Sequence, residues 1–164
     1  MKRVFFTIIF LGTAGTAEAQ EPGRRNELKF MTGLTAWLDE VTDYSATIGG
    51  AYRRYITPRL SIEPEFLYLI GAGSIRDITV IPNISYDFRP GRPIRPYLTA
   101  GVGWIHHSEK YPGALLPDFS FNDVTVSGGI GVRVFVTPRV FLAPEVRIGF
   151  EPIFRATGSF GFVF

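Results

Sequence analysis

Apolar residues occupy every second position in eight separate stretches of this chain. In all eight stretches the apolar positions carry even residue numbers, and the odd positions hold mainly Gly, Ser, Thr and Ala. A period of two places alternate side chains on opposite faces of a β-strand. The shared parity predicts eight strands that turn one continuous apolar face to the same side of a sheet. The stretches cover residues 27–38, 44–56, 60–70, 77–88, 96–106, 123–136, 140–150 and 155–164.

The composition of the two faces indicates which one is the exterior. The odd face has few lysines, whereas a surface exposed to water is about 25–35% charged. The even face carries Tyr, Trp and Phe near strand ends, where membrane-interface aromatics lie. We therefore predict an eight-stranded antiparallel up-and-down transmembrane β-barrel with lipid outside. A soluble periplasmic carrier of the lipocalin type, with the two faces reversed, is the alternative.

The N-terminus has the pattern of a secretory signal peptide. Lys2 and Arg3 precede a short apolar run, and Ala17-Glu18-Ala19 is a small-x-small cleavage site. We predict a signal peptide at residues 1–19, a linker at 20–26 and an outer-membrane barrel at 27–164. The chain has no cysteine, so no disulfide stabilises it after export. A formal net charge of +2 gives no indication of nucleic-acid binding.

Turn sequences divide the predicted strands into hairpins. Thr57-Pro58-Arg59 recurs 80 residues later as Thr137-Pro138-Arg139, and each copy predicts a tight turn on the periplasmic side. The longest predicted connection, residues 107–122, then lies outside the cell, where it either contacts a surface ligand or folds over the mouth of the barrel. Three prolines lie within predicted strands, where bulges or kinks are expected because proline lacks an N–H group; they are Pro64, Pro82 and Pro144.

The signal peptide, the eight alternating segments, the Thr-Pro-Arg turns and the aromatic ending at Phe164 resemble small bacterial outer-membrane β-barrel proteins of the OmpA-transmembrane and OmpX type. The resemblance implies a place in the outer membrane of a Gram-negative bacterium, in contact with lipid and lipopolysaccharide. It also implies that the barrel-assembly machinery recognises the last strand through Phe160, Phe162 and Phe164.

Charged residues on the odd face have to be paired if that face is the lumen. The sequence predicts an ion-pair network that links three carboxylates to three guanidinium groups. An eight-stranded barrel has room for side chains and little else, so these groups form either a plug or a narrow polar track. The predicted members are Arg53, Glu63, Glu65, Arg133, Glu145 and Arg147.

His106 and Ser108 have the spacing of a His-x-Ser motif. This spacing resembles that of the lipid A deacylases, outer-membrane barrels that use these residues as base and nucleophile. The deacylase motif continues with Asn, whereas Glu109 follows here. We expect a non-enzymatic role in envelope integrity or surface interaction, with an outer-leaflet lipid-modifying enzyme as the alternative. The pattern predicts no metal site and no cofactor, since two adjacent histidines do not form a ligand cluster.

Overall fold

The eight strands form a closed barrel in which each strand is antiparallel to its neighbours in the chain and β8 pairs with β1. The computed structural model describes residues 26–38, 42–72, 74–110, 117–150 and 154–164. The predicted signal peptide and all of the linker except Asn26 lie outside these residues. No described helix is long and apolar enough to cross a membrane. The strands are β1 (Asn26–Leu38), β2 (Thr42–Tyr55), β3 (Leu60–Ile70), β4 (Ile75–Asp87), β5 (Ile94–Glu109), β6 (Phe119–Phe135), β7 (Val140–Phe150) and β8 (Phe154–Val163).

The strand registers determine the tilt and width of the barrel. Stepping from each residue to its partner on the next strand, a path that starts at Asn26 on β1 passes all eight strands and returns to β1 at Ala36. The stagger around the barrel is therefore ten residues, from position 26 to position 36. A stagger of this size tilts eight strands by about 35–45° and leaves an interior that side chains fill. Between Asn26 and Ala36, this path passes through one residue on each of β2 to β8, namely Arg54, Ile62, Ile84, Ala100, Gly128, Ile148 and Phe154.

The mid-strand prolines interrupt the hydrogen-bond ladders without shifting the register. Between β6 and β7, pairing stops after Gly131↔Glu145 and resumes at Val134↔Leu142, so both strands skip two residues. Equal gaps on both strands mean that Pro144 creates no bulge, contrary to one of the two outcomes expected from the sequence. Pro64 and Pro82 face each other in register across β3 and β4. Because no extra residue is inserted, the parity is kept along the whole barrel.

The exterior is apolar and the interior is polar, as the parity predicts. Large apolar side chains on even positions of every strand are exposed, among them Ile130 and Ile148 at 63% and 68%. Odd-numbered Glu63, Arg53 and Arg133 are 0–2% exposed. This is the reverse of a soluble carrier, whose apolar residues line the cavity, so the lipocalin-like alternative is wrong.

The two ends of the barrel differ. The terminal end, as we call it, holds Asn26, Phe164 and the turns at residues 56–59, 88–93 and 136–139. In both Thr-Pro-Arg turns the threonine hydroxyl accepts a hydrogen bond from the backbone N–H three residues on, Leu60 N at 2.9 Å from Thr57 Oγ1 and Val140 N at 3.1 Å from Thr137 Oγ1. The repeated sequence therefore gives the same turn twice.

The opposite end, called the loop end below, holds the connection between β5 and β6. We expected this connection to cover residues 107–122, but β5 continues to Glu109 and β6 begins at Phe119. The connection is therefore residues 110–118, of which 111–116 lie outside the described residues. The prediction left out both strand ends because His106-His107-Ser108 is polar on both faces of β5, and because Phe119 and Phe121 place the apolar residues of β6 at odd positions. The β5–β6 hairpin continues beyond the end of β7. The last residue of β7 that pairs with β6 is Phe150, opposite Val126.

Candidate functional site

The middle of the lumen contains a network of buried charges contributed by seven of the eight strands. Five carboxylates and five cationic groups joined by ion pairs lie there, each at most 5% exposed, and Asp77 and Arg95 are buried in the lumen as well. Equal numbers of the two signs make the set electrically balanced, which buried charges require. The carboxylates belong to Glu27, Glu63, Glu65, Asp87 and Glu145, and the cations to Lys29, Arg53, Arg133, Arg147 and Arg155.

Glu63 on β3 lies between two cations. Lys29 Nζ on β1 is 2.7 Å from Glu63 Oε1, and Arg53 Nε on β2 donates to Glu63 Oε2. β2 pairs with both β1 and β3, and Arg53 lies directly opposite Glu27 in the register. The predicted contact between Arg53 and Glu63 is thus present, and Lys29 joins it.

Arg147 on β7 forms the second part of the network. Its Nε donates to Glu145 Oε1 at 2.6 Å and its Nη2 to Glu65 Oε2 at 3.2 Å. Its Nη1 donates to the amide oxygen of Asn83 at 2.6 Å. Arg155 on β8 donates to the other oxygen of Glu65 at 2.7 Å. These contacts cross the lumen and join β3 and β4 to β7 and β8, so they hold opposite walls together.

Arg133 on β6 contacts different carboxylates from those expected. We predicted Glu63, Glu65 or Glu145 as its partners, but Arg133 Nη1 lies 2.8 Å from Glu27 Oε2 and its Nη2 pairs with Asp87. Tyr55 completes this group, because its hydroxyl lies 2.9 Å from both Glu27 Oε1 and Asp87 Oδ2. Glu27 and Tyr55 were not among the predicted members of the network, although both stand at odd positions.

Tyr97 is a further member of the network that was not predicted from the sequence. Its hydroxyl donates to Glu145 Oε2 at 2.7 Å, and the guanidinium groups of Arg53 and Arg133 lie 4.9 and 5.0 Å from its ring centroid. The ring fits in the lumen because its neighbour across the ladder is Gly131, where an added Cβ would come within 3 Å of it. A large odd-numbered aromatic opposite a glycine is the signal that would have identified it.

Two clusters of apolar side chains fill further parts of the lumen. Met31, Leu67 and Leu69 pack together toward the loop end. Toward the terminal end, Phe141 packs with Phe135, and the Arg95 guanidinium lies 4.0 Å from the Phe135 ring centroid. Both apolar clusters lie beside the charges, because Ala51 of the first cluster is opposite Lys29 and Glu65 in the registers and Val163 of the second is opposite Glu27.

The His-Ser segment divides between the two faces of β5 at the loop end. His106 and Ser108 point outward, and His106 Nδ1 lies 2.8 Å from Asn122 Oδ1 while its ring stacks on Trp104. His107 points inward and pairs with Asp77 at 2.6 Å. Among the described residues, no hydrogen bond joins His106 to Ser108, and no group of three metal-ligating side chains forms.

The aromatic residues proposed as an assembly signal lie along the seam that closes the barrel. Phe160 and Phe162 on β8 form an edge-to-face pair with ring centroids 4.7 Å apart. Phe164 exchanges two backbone hydrogen bonds with Asn26 at the start of β1. All three rings face outward, and Phe164 is 59% exposed. The three residues thus mark the outer surface of the closing strand pair.

Comparison with known proteins agrees with this architecture. A family model described as the outer membrane protein beta-barrel domain matches residues 5–153. The chain belongs to this family. It is accordingly an outer-membrane protein, and the apolar exterior of the barrel is its lipid-facing surface. No curated protein sequence matches the chain.

Several solved barrels share this fold at low sequence identity. The N-terminal barrel domain of Pseudomonas aeruginosa OprF is 15% identical, with a TM-score of 0.68, over 86% of this chain and 99% of that domain. Neisserial surface protein A is 17% identical, with a TM-score of 0.68, over 84% and 94% of the two chains. Yersinia pestis Ail, the attachment invasion locus protein, is 10% identical, with a TM-score of 0.57, over 86% and 97%. At these identities the similarity establishes the fold.

Proposed function

We propose that this protein is a non-enzymatic outer-membrane barrel with a plugged lumen, and that it acts in envelope integrity or through surface interactions at its loop end. The observation that carries the proposal is the packed interior: balanced buried charges and two apolar clusters beside them occupy the space that a pore requires. Side chains such as Arg53, Tyr97 and Phe141, all less than 2% exposed, fill a barrel of this width. A structure filled in this way supports a scaffold rather than a channel.

The loop end is the surface that we propose for contact with a partner. The β5–β6 hairpin extends beyond β7 and carries the exposed aromatics Phe119 and Phe121, at 54% and 41% exposure. Exposed aromatic residues are enriched in binding surfaces. A solved complex of Yersinia pestis Ail contains a heparin analogue, sucrose octasulfate. For the present chain we propose that residues 107–122, the contact region expected from the sequence, bind a ligand at the cell surface.

The proposal includes the route of assembly. Export depends on the signal peptide at residues 1–19, and insertion depends on the barrel-assembly machinery binding to Phe160, Phe162 and Phe164. Once inserted, the exterior contacts phospholipid and lipopolysaccharide. With the terminal end in the periplasm, the longest connection, residues 110–118, lies outside the cell, which is the side where bacterial barrels carry their longer loops.

A deletion strain complemented with variants tests the role. We expect deletion to increase sensitivity to detergent or to reduce surface binding, with an unchanged lipid A mass spectrum. The Phe119→Ser, Phe121→Ser double variant is expected to restore envelope resistance but not surface binding, which separates the two roles. A change in lipid A acylation on deletion would contradict the non-enzymatic proposal.

An outer-leaflet lipid-modifying enzyme is the second candidate, and one contact favours it. The hydrogen bond from His106 to Asn122 orients an outward-facing imidazole two residues from Ser108 on the same face. A base held in this way is one requirement of nucleophilic catalysis. His106→Ala and Ser108→Ala, each assayed for lipid A deacylation in membranes, decide between the candidates. Loss of a deacylated product in both variants would establish the enzyme.

A further inference from the structure

A groove with a volume of about 670 Å³ crosses the outer wall halfway along β7, β8, β1 and β2. Its floor consists of Thr32, Gly158 and Pro144, which are consecutive partners in the strand registers. The volume is within the range of about 300–1,000 Å³ that ligand pockets occupy. Because the outside of a barrel is convex, a depression of this size requires tall side chains around a low floor.

The walls of the groove are tall and well fixed. Phe30 and Phe160 face each other across β1 and β8, and Ile48 rises beside Thr32 on β2. Phe30 and Ile48 are each 56% exposed. The ring of Phe160 is held by its edge-to-face contact with Phe162, and a β-branched isoleucine has few side-chain rotamers. The groove is therefore formed before any ligand arrives.

The chemistry of the groove identifies the class of ligand. The backbone of β1 and β8 is paired along the ladder, so it offers few hydrogen bonds to a sugar or a peptide. The groove opens onto the lipid-facing surface of an outer-membrane protein and is continuous with that interface. In hydrocarbon, association depends on van der Waals contact, and a chain lying in the groove contacts both its floor and the row of tall side chains that Phe30 and Phe160 form beside it. We propose that this groove binds one acyl chain of an outer-membrane lipid at a fixed position.

The floor provides a direct test, because a side chain can be added there without a clash. A Cβ built on Gly158 meets no atom within 4 Å. Gly158→Leu should fill the groove, while Gly128→Leu is the matched control, since its added Cβ on the same outer surface meets only Thr99 O at 3.8 Å. Each barrel is reconstituted in bilayers of a single phosphatidylethanolamine, extracted, and analysed by native mass spectrometry for retained lipid.

We expect the wild type and Gly128→Leu to retain one phosphatidylethanolamine, and Gly158→Leu to retain it about tenfold less, a difference of ~1.4 kcal/mol in binding. Thr32→Leu fills the same floor from β1 and should reproduce the loss if Gly158→Leu fails to fold. Equal retention in all four proteins would overturn the proposal. Cross-linking of Thr32→Cys copies in the bilayer would also overturn it, because a second barrel would then occupy the groove.

Discussion

Glu63 is the carboxylate to which both Lys29 and Arg53 bind, and it is fully buried. Its negative charge is needed because two cations would otherwise face each other in a medium that solvates charge poorly. Removing one partner of a buried ion pair leaves an uncompensated charge, which is more costly than replacing both partners. The stability of the barrel therefore depends on individual members of the lumen network.

Glu63→Gln preserves the shape of the side chain and removes its charge. We expect the free energy of unfolding to fall by about 3–5 kcal/mol, since Lys29 and Arg53 lose their shared counter-charge. Urea unfolding in lipid vesicles measures the change. Glu109→Gln, a matched substitution at the partly exposed end of β5, should stay within about 0.5 kcal/mol of the wild type. Similar losses in both variants would show that the network contributes no specific stability.

Two glycines on β8 allow a comparison of packing inside and outside the barrel. A Cβ on Gly161 would lie less than 3 Å from ring carbons of Phe141, which is fully buried, whereas one on Gly158 meets nothing within 4 Å. We expect Gly161→Ala to destabilise the barrel by about 1–3 kcal/mol through overpacking. Gly158→Ala should be neutral or stabilising by about 0.4–1 kcal/mol, since it restricts the unfolded chain. Thermal unfolding midpoints of the two variants should differ in this direction; the opposite order would contradict the packing.

At the scale of the strand, the sequence predicted which side each residue faces but not which residues touch. Arg53 was assigned to the lumen correctly because alternation is a property of one strand alone. The partner of Arg133 was not, because Glu27 and Asp87 reach it only through the stagger of ten residues around the barrel. The length of β5 was also missed, since polar residues at the loop end satisfy hairpin pairing without producing an apolar pattern.

The proposed assembly signal at the end of β8 can be tested by comparing two aromatic residues of similar exposure. Phe164 and Phe150 both face outward at strand ends, 59% and 61% exposed. We expect Phe164→Ala to reduce the amount of folded barrel in cells several-fold, because recognition by the assembly machinery is lost. Phe150→Ala should have little effect. Both variants should refold from urea into detergent equally well, as measured by the heat-dependent gel shift of folded barrels. Equal yields in cells would exclude a special role for Phe164.

At the scale of the whole molecule, the barrel has buried charged side chains in its interior and an apolar exterior. The apolar clusters around Leu67 and Leu69 and around Phe141 pack beside the ion pairs. Eight strands leave little space beyond these side chains. In the plugged lumen that we propose, an ion that entered would have to displace paired charges and the apolar side chains packed beside them.

We therefore expect no steady current when the purified protein is inserted into planar bilayers. A large porin inserted under the same conditions is the positive control for incorporation. The wild-type barrel should give only the baseline conductance of the membrane at both polarities. Repeated current steps of constant size would refute the plugged lumen and would favour a polar track along the network.

The unbroken even-to-even pairing of the strands has a consequence for how this protein tolerates genetic change. A deletion of one codon near the start of β3, ahead of Glu63, would exchange the lipid-facing and lumen-facing positions in the rest of that strand. Glu63 and Glu65 would then point into hydrocarbon. Loss of two codons would keep the roles and only shorten the wall. Insertions in the short segments between strands escape this rule, because those residues do not alternate between two environments. Evolutionary variation in length should therefore collect at the rims, while the wall changes by substitution.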